Sequence, residues 1–124
     1  RNLSLQNIRA RVSPELRKSG FQISLDNFLK IKKLITLDTT SDIIEIIIQD
    51  GTIKFKEKKW SLEVAKTNLQ NESIAFKKKY LSNAEEIDNI SIDIFDTFLV
   101  MRGSTSDLMI TLELIEYLNV KNNL

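Results

Sequence analysis

The chain has 124 residues, 42% of them hydrophobic and 28% charged, with no Cys and no His. Its length is that of one small domain or part of a larger one, its composition is globular, and a start at Arg1 reads as a piece of something longer. The two missing residue types exclude a disulfide framework, a zinc finger, a Cys or Ser–His nucleophile pair and an imidazole base, so catalysis would have to run on carboxylates, Lys/Arg, hydroxyls, backbone or a hard cation.

Gly20, Gly51 and Gly103 lie too far apart to write a glycine-rich phosphate loop. The longest apolar run, Phe98 to Met101, falls far short of the roughly 20 residues that span a bilayer. The expectation is a soluble, cytoplasmic protein with no membrane partner. Residues 1–60 carry 12 Lys/Arg and 7 Asp/Glu, a balance of +5, and residues 61–124 carry 6 and 10, a balance of −4. Nucleic-acid binding by the basic half is one reading. Lys54, Lys56, Lys58 and Lys59 have little aromatic company beyond Phe55 and Trp60, so a solvated face with no nucleic-acid partner is favoured.

Along the chain, Leu5, Ile8 and Val12 stand at helical spacing, and Ser13-Pro14 reads as the cap and first residue of a short second helix ending at Gly20. A third helix is predicted from Ser24, with Leu25, Phe28, Leu29, Lys32 and Ile35 on one stripe. Residues 41–51 admit two readings. Five isoleucines before Asp50-Gly51 suggest a hairpin over 43–58, whereas a polar stripe of Asp42, Glu45 and Gln49, a capping Ser41 and a terminal Gly51 favour a helix followed by an extended 52–58. From Ser61 to Leu81, Leu62, Ala65, Leu69, Phe76 and Tyr80 predict a long amphipathic helix with Trp60 as its staple and Lys77, Lys78 and Lys79 at its negative end. Ile90–Phe95 reads as one β-branched strand closed by Asp96-Thr97, and a last helix is predicted from Ser106 through Leu108, Leu112, Ile115 and Leu118. No internal repeat is visible. The predicted fold class is α/β: a helical upstream region, 1–85, then the first strand–loop–helix unit of a sheet domain, 86–124.

Asp93 interrupts the apolar strand. A carboxylate there needs a cation, hydrogen-bond donors or a substrate, and the carboxyl end of a strand is where open α/β sheets bind ligands. Asp93 and Asp96 serve equally well as turn residues that cap the next amides. The run from Ile90 to Leu99 resembles the first motif of the haloacid dehalogenase (HAD) superfamily, in the D-I-F-D-T variant of HAD-like hydrolase domains, some of which are attached to bacterial glycosyltransferases. Arg102 and the Ser106-Asp107-Leu108 stretch look like the same subgroup. The resemblance covers about a quarter of the chain, Asp88 to Leu118, and implies a Rossmann-like domain cut short.

It further implies Mg²⁺-dependent hydrolysis of a small, sugar-related phosphorylated substrate. Asp93 would be the nucleophile that forms an aspartyl-phosphate, Asp93 and the Phe95 carbonyl would hold Mg²⁺, Thr97 would support the loop, and Asp96 is the nearest carboxylate able to stand in for the family's general acid, whose place Phe95 takes. The 27 residues after Thr97 hold one Lys and no acidic pair, so the phosphate clamp is missing and the fragment by itself is expected to be inactive. With one strand short of neighbours, Ile90, Ile92, Ile94 and Phe98 are expected to stay exposed and drive self-association. The alternative is a non-enzymatic helical interaction module in which the aspartates only make a turn.

Overall fold

The structure, a computed structural model, describes residues 14–113. Within them a period of two, rather than the helical period, governs most of the chain. Eight strands form: β1 (Ser19–Ile23), β2 (Ile43–Gln49), β3 (Thr52–Glu57), β4 (Trp60–Lys66), β5 (Glu72–Lys77), β6 (Ile90–Ile94), β7 (Phe98–Arg102) and β8 (Asp107–Glu113). A ten-residue helix, α1 (Leu25–Leu34), follows β1, and 3₁₀ segments occupy Pro14–Leu16 and Lys78–Asn83. All pairings are antiparallel, in the order β1-β6-β7-β8-β5-β2-β3-β4. The terminal strands β1 and β4 approach each other without a ladder between them, so the sheet curls into a nearly closed barrel.

The connectivity is duplicated. Replacing each strand number n by n + 4 turns β5-β2-β3-β4 into β1-β6-β7-β8, counted cyclically. Each half of the chain is a strand, a helical segment and a three-strand meander, with α1 in the first half and the 3₁₀ segment Lys78–Asn83 in the second. The first strand of each half pairs with the meander of the other: β1 with β6 and β5 with β2. Strands from either side of position 85 therefore meet in one sheet, at the β1–β6 and β5–β8 ladders.

The reason lies in where the isoleucines point. Ile44, Ile46 and Ile48 on β2, Ile53 and Phe55 on β3, and Ile90, Ile92 and Ile94 on β6 are at most 1% exposed. They join Leu99 and Met101 of β7 and Ile110 of β8 in one core with Phe28 and Ile31 of α1. β3 and β6 alternate strictly between buried and less buried residues, the pattern of an antiparallel sheet with one wet side, whereas β7 buries Leu99, Val100 and Met101 in succession. Burying these β-branched side chains stabilises strands over helices, because their stiff χ1 suits the pleat.

Several sequence expectations are corrected by this arrangement. The α/β class, the helical 1–85 region and the Rossmann-like start fail because β6 lies between two antiparallel neighbours, β1 and β7; the HAD resemblance falls with them. Ile90, Ile92 and Ile94 are buried, so the exposed apolar patch expected there does not form. Residues 41–51 are not a helix: Asp50 (φ 51°) and Gly51 (φ 82°) form the two-residue turn joining β2 to β3, the geometry that Asp-Gly favours. The long helix over 61–81 is replaced by β4, a polar turn and β5, in which Trp60, Leu62 and Val64, then Ile74 and Phe76, alternate inward. The helix from Ser106 is instead β8, and the short helix ending at Gly20 is a 3₁₀ turn over Pro14–Leu16, with Gly20 inside β1. The helical alternative module has no long amphipathic helix to rest on among the described residues. The helix predicted from Ser24 is present, capped by Ser24 Oγ accepting from Asn27 N at 3.1 Å. The helical stripe at 3–12 and the tail beyond 113 lie outside the described residues.

Lys78, expected at a helix end, performs a buried task. Its ammonium donates to Ile35 O at 2.9 Å, Asp38 O at 2.6 Å and Glu57 Oε2 at 2.7 Å, while Glu57 Oε1 accepts from Trp60 Nε1 at 2.9 Å. The Glu57 side chain is fully buried and that of Lys78 is 13% exposed. One cation thus ties the loop after α1 to the β3–β4 hairpin. Breaking a buried pair strands the remaining charge, so Lys78→Met is expected to cost about 3–5 kcal/mol in urea unfolding. Adding Glu57→Gln, which keeps an acceptor for Trp60, should recover part of that loss.

Candidate functional site

The strand ends sort the connections to two ends of the barrel. One end carries the start of β1, the Asp50-Gly51 turn, the 67–71 loop and the 95–97 turn; the other carries the helix entry, the Lys58-Lys59 turn, the 3₁₀ segment and the 103–106 turn. All the residues implicated by sequence, Asp93, Phe95, Asp96 and Thr97, lie at or next to the first end.

Because Ile92 and Ile94 face inward, Asp93 must face outward, on the polar side of β6. There Arg17 Nη1 donates to its Oδ1 at 3.2 Å and Arg102 Nε donates to its Oδ2 at 3.1 Å. Arg102 Nη1 also donates to Asp107 Oδ2 at 2.9 Å, and Asp107 is directly opposite it in register. The result is a ladder of alternating charge, Arg17–Asp93–Arg102–Asp107, laid across the outside of β6, β7 and β8. Burial opposes the charge of Arg102, but the hydrogen bonds it donates to Asp107 and Asp93, together with their negative charges, outweigh it and raise its pKa. Gly20 is the cross-strand partner of Asp93; a Cβ there would sit 2.9 Å from Asp93 Oδ1, in the space the arginine pair needs.

This geometry does not fit a nucleophile holding Mg²⁺. Both Asp93 oxygens are engaged by guanidinium groups, so a metal would have to displace an arginine. Among the described residues no three carboxylates gather as a metal-ligating group. Phe95 is buried and stacks on Phe98 with ring centroids 4.7 Å apart, and its amide closes the turn onto Phe98 O at 2.9 Å. Asp96 and Thr97 are exposed at the tip of that turn, and Thr97 O accepts from Leu112 N at 2.9 Å. The four residues are brought together as a strand end and its turn. Arg102, which the sequence tied only to the resemblance, engages Asp93. The two arginines satisfy the Asp93 carboxylate with no cation or substrate needed.

Sequence reasoning passed over the residues beside this turn. Lys18 Nζ lies 2.8 Å from Glu72 Oε2, and Ser19 Oγ donates to Glu72 Oε1 at 3.2 Å. The hydrogen bond and charge of Glu72 raise the pKa of Lys18, with a further contribution from Asp96. These groups and the 68–71 loop line an open depression of about 440 Å³. Asn71 Oδ1 takes the Asp50 amide at 3.1 Å, fixing the loop to the hairpin turn. A second depression of about 350 Å³ begins on the other side of Asn71 and Glu72 and runs onto Ile47, Gln49 and Ser73. The signal that could have flagged this region is the cluster Thr67-Asn68-Leu69-Gln70-Asn71, a polar break inside the long helix expected there.

At the opposite end Glu85 anchors the 103–106 turn. Its carboxylate accepts from the hydroxyls and amides of Ser104 and Thr105 and from the Ser106 amide. Those donors, the Ser104 and Thr105 hydroxyls foremost, lower its pKa from 4.5 to about 2. The lowered value fixes the sign of a pH effect: the unfolded carboxylate takes its proton first, so the contribution to stability is complete above about 4.5 and lost as pH falls towards 2. Thermal unfolding followed from pH 5 to 2 should show a shallower loss of Tm for Glu85→Gln than for the parent chain.

No described helix is long and apolar enough to cross a membrane. Compared with family models, with curated proteins and with solved structures, the chain gives no significant match in any of the three.

Proposed function

We propose that this chain is a non-catalytic binding module that receives a polar segment of a partner polypeptide at the end of the barrel marked by Lys18, Ser19 and Glu72. The observation that carries the reading is the position of the depression of about 440 Å³. It sits at the mouth of the seam where β1 and β4, the two terminal strands of the sheet, meet without a ladder. Its volume is in the range of ligand pockets, roughly 300–1,000 Å³.

The lining favours a peptide. Asn68 and Gln70 each offer a donor and an acceptor, the combination a main-chain amide needs, and Leu69 supplies an apolar contact. The Lys18–Glu72 pair presents both charges, and the adjoining depression past Asn71 lengthens the surface in the way an extended segment requires. Strand edges and polar clefts of this kind recognise polypeptides through main-chain hydrogen bonds, with side-chain pockets for selectivity. A cytoplasmic setting, as the cysteine-free sequence suggests, belongs to the same proposal.

Panning a phage-displayed random peptide library on the 124-residue chain tests it. Selected peptides should bind the parent chain, and Asn68→Ala/Gln70→Ala, with an unchanged circular-dichroism spectrum, should weaken them at least tenfold. A failure to enrich any peptide, or equal binding to the variant, would overturn the proposal.

A further inference from the structure

The second feature that invites a ligand is at the other end of the barrel and plays no part in the peptide site. Five donors converge on one carboxylate there. Glu85 Oε1 accepts from Thr105 Oγ1 at 2.6 Å, Thr105 N at 3.1 Å and Ser106 N at 3.2 Å. Glu85 Oε2 accepts from Ser104 Oγ at 2.6 Å and Ser104 N at 2.9 Å. Such a set of successive amides and hydroxyls is an anion-binding nest, and its occupant is supplied from 19 to 21 residues away in the chain.

We propose that the turn between β7 and β8 is a carboxylate-binding site that Glu85 fills in cis and that accepts the carboxylate of a partner polypeptide when Glu85 is withdrawn. Three observations support it. The donors divide into two sets, one for each oxygen, which suits a planar two-oxygen anion better than a tetrahedral one. The turn has its own closure: Gly103 N donates to Ser106 O at 3.0 Å, and a Cβ at Gly103 would lie 2.3 Å from that oxygen and 2.8 Å from Glu85 Cδ. Only glycine therefore allows the turn and its anion together. Ser104 and Thr105 are exposed, so a carboxylate from outside can reach the same donors. Capture of a terminal or side-chain carboxylate in a backbone nest is an established mode of peptide recognition. Glu86, the next residue, pairs with Lys32 of α1, which ties the position of Glu85 to the helix.

Glu85→Ala empties the nest, and sodium acetate is the probe, titrated against sodium chloride of matched ionic strength with backbone amide NMR as the readout. Acetate should move the Ser104, Thr105 and Ser106 amides saturably towards their positions in the parent chain. In that background Thr105→Val, which removes one hydroxyl donor, should weaken acetate at least threefold. The parent chain, whose nest stays filled, should respond at least tenfold more weakly. The proposal is overturned if folded Glu85→Ala shows no saturable shift at these amides, if the parent chain responds equally, or if inorganic phosphate binds more tightly than acetate. Loss of the fold in Glu85→Ala would also overturn it, since the nest would then not exist without its own carboxylate.

Discussion

Each half of this chain lends its first strand to the sheet of the other. β1 pairs with β6 and β5 with β2, so the inward isoleucines of either meander find their neighbours only when both halves are present. Ile92 is opposite Phe21 and Ile46 is opposite Ile74, pairs drawn from distant parts of the sequence. Such contacts carry the loop-closure cost of long separations, which the shared core offsets by burying Phe28, Phe55 and Phe76 completely or nearly so. The helix and the 3₁₀ segment occupy equivalent places in the two halves, and the Lys78–Glu57 pair locks the 3₁₀ segment of the second half to a hairpin of the first.

The outer surface of the barrel inherits its chemistry from this exchange. A sheet with one wet face can place a charge at every second residue, provided its neighbours across the ladder carry the opposite sign. Asp93 faces Gly20 and Val100 in register, and its opposite charges reach it diagonally, from Arg17 just ahead of β1 and from Arg102 on β7. On the basic β3 strand the same rule sets Lys54 opposite Glu63 and Lys56 opposite Glu45, which is the arrangement of a solvated face. The two ends of the barrel differ in kind. One is an open polar mouth at the unpaired seam, and the other is a closed turn held by an internal carboxylate.

What the sequence reveals is mainly local. Ser24 with Asn27 marks the start of α1, Asp50-Gly51 is a hairpin signal, and Ile90–Ile94 is a strand by composition alone. The helix expected over 61–81 shows where local reading fails. Leu62, Ala65, Leu69, Phe76 and Tyr80 satisfy the helical period by coincidence, while Leu62 and Val64, then Ile74 and Phe76, satisfy a period of two, and only partners elsewhere in the sheet decide between them. Leu108, Ile110 and Leu112 pose the same ambiguity. The candidate site is less legible still. Asp93 stands out in the sequence as a charge in an apolar run, but its partner Arg17 is 76 residues away, and neither the Glu85 nest nor the Lys18–Glu72 pair has a spacing that a motif could encode. The D-I-F-D-T run is a strand and turn whose Asp faces away from the core, and its likeness to a catalytic motif ends with those residues.

The strand exchange is the claim on which everything else rests, and the absence of cysteine makes it directly measurable. Gln22 and Ser91 are cross-strand partners in β1 and β6, with Gln22 Nε2 donating to Ser91 Oγ at 3.2 Å. In the double variant Gln22→Cys/Ser91→Cys, mild oxidation followed by mass spectrometry of the monomer reads the pairing, since a disulfide forms only between residues whose Cα atoms lie within about 7 Å. The strand-exchanged barrel predicts an intramolecular disulfide with an unchanged circular-dichroism spectrum. Two free thiols in the folded monomer, or disulfides formed only between molecules, would contradict it.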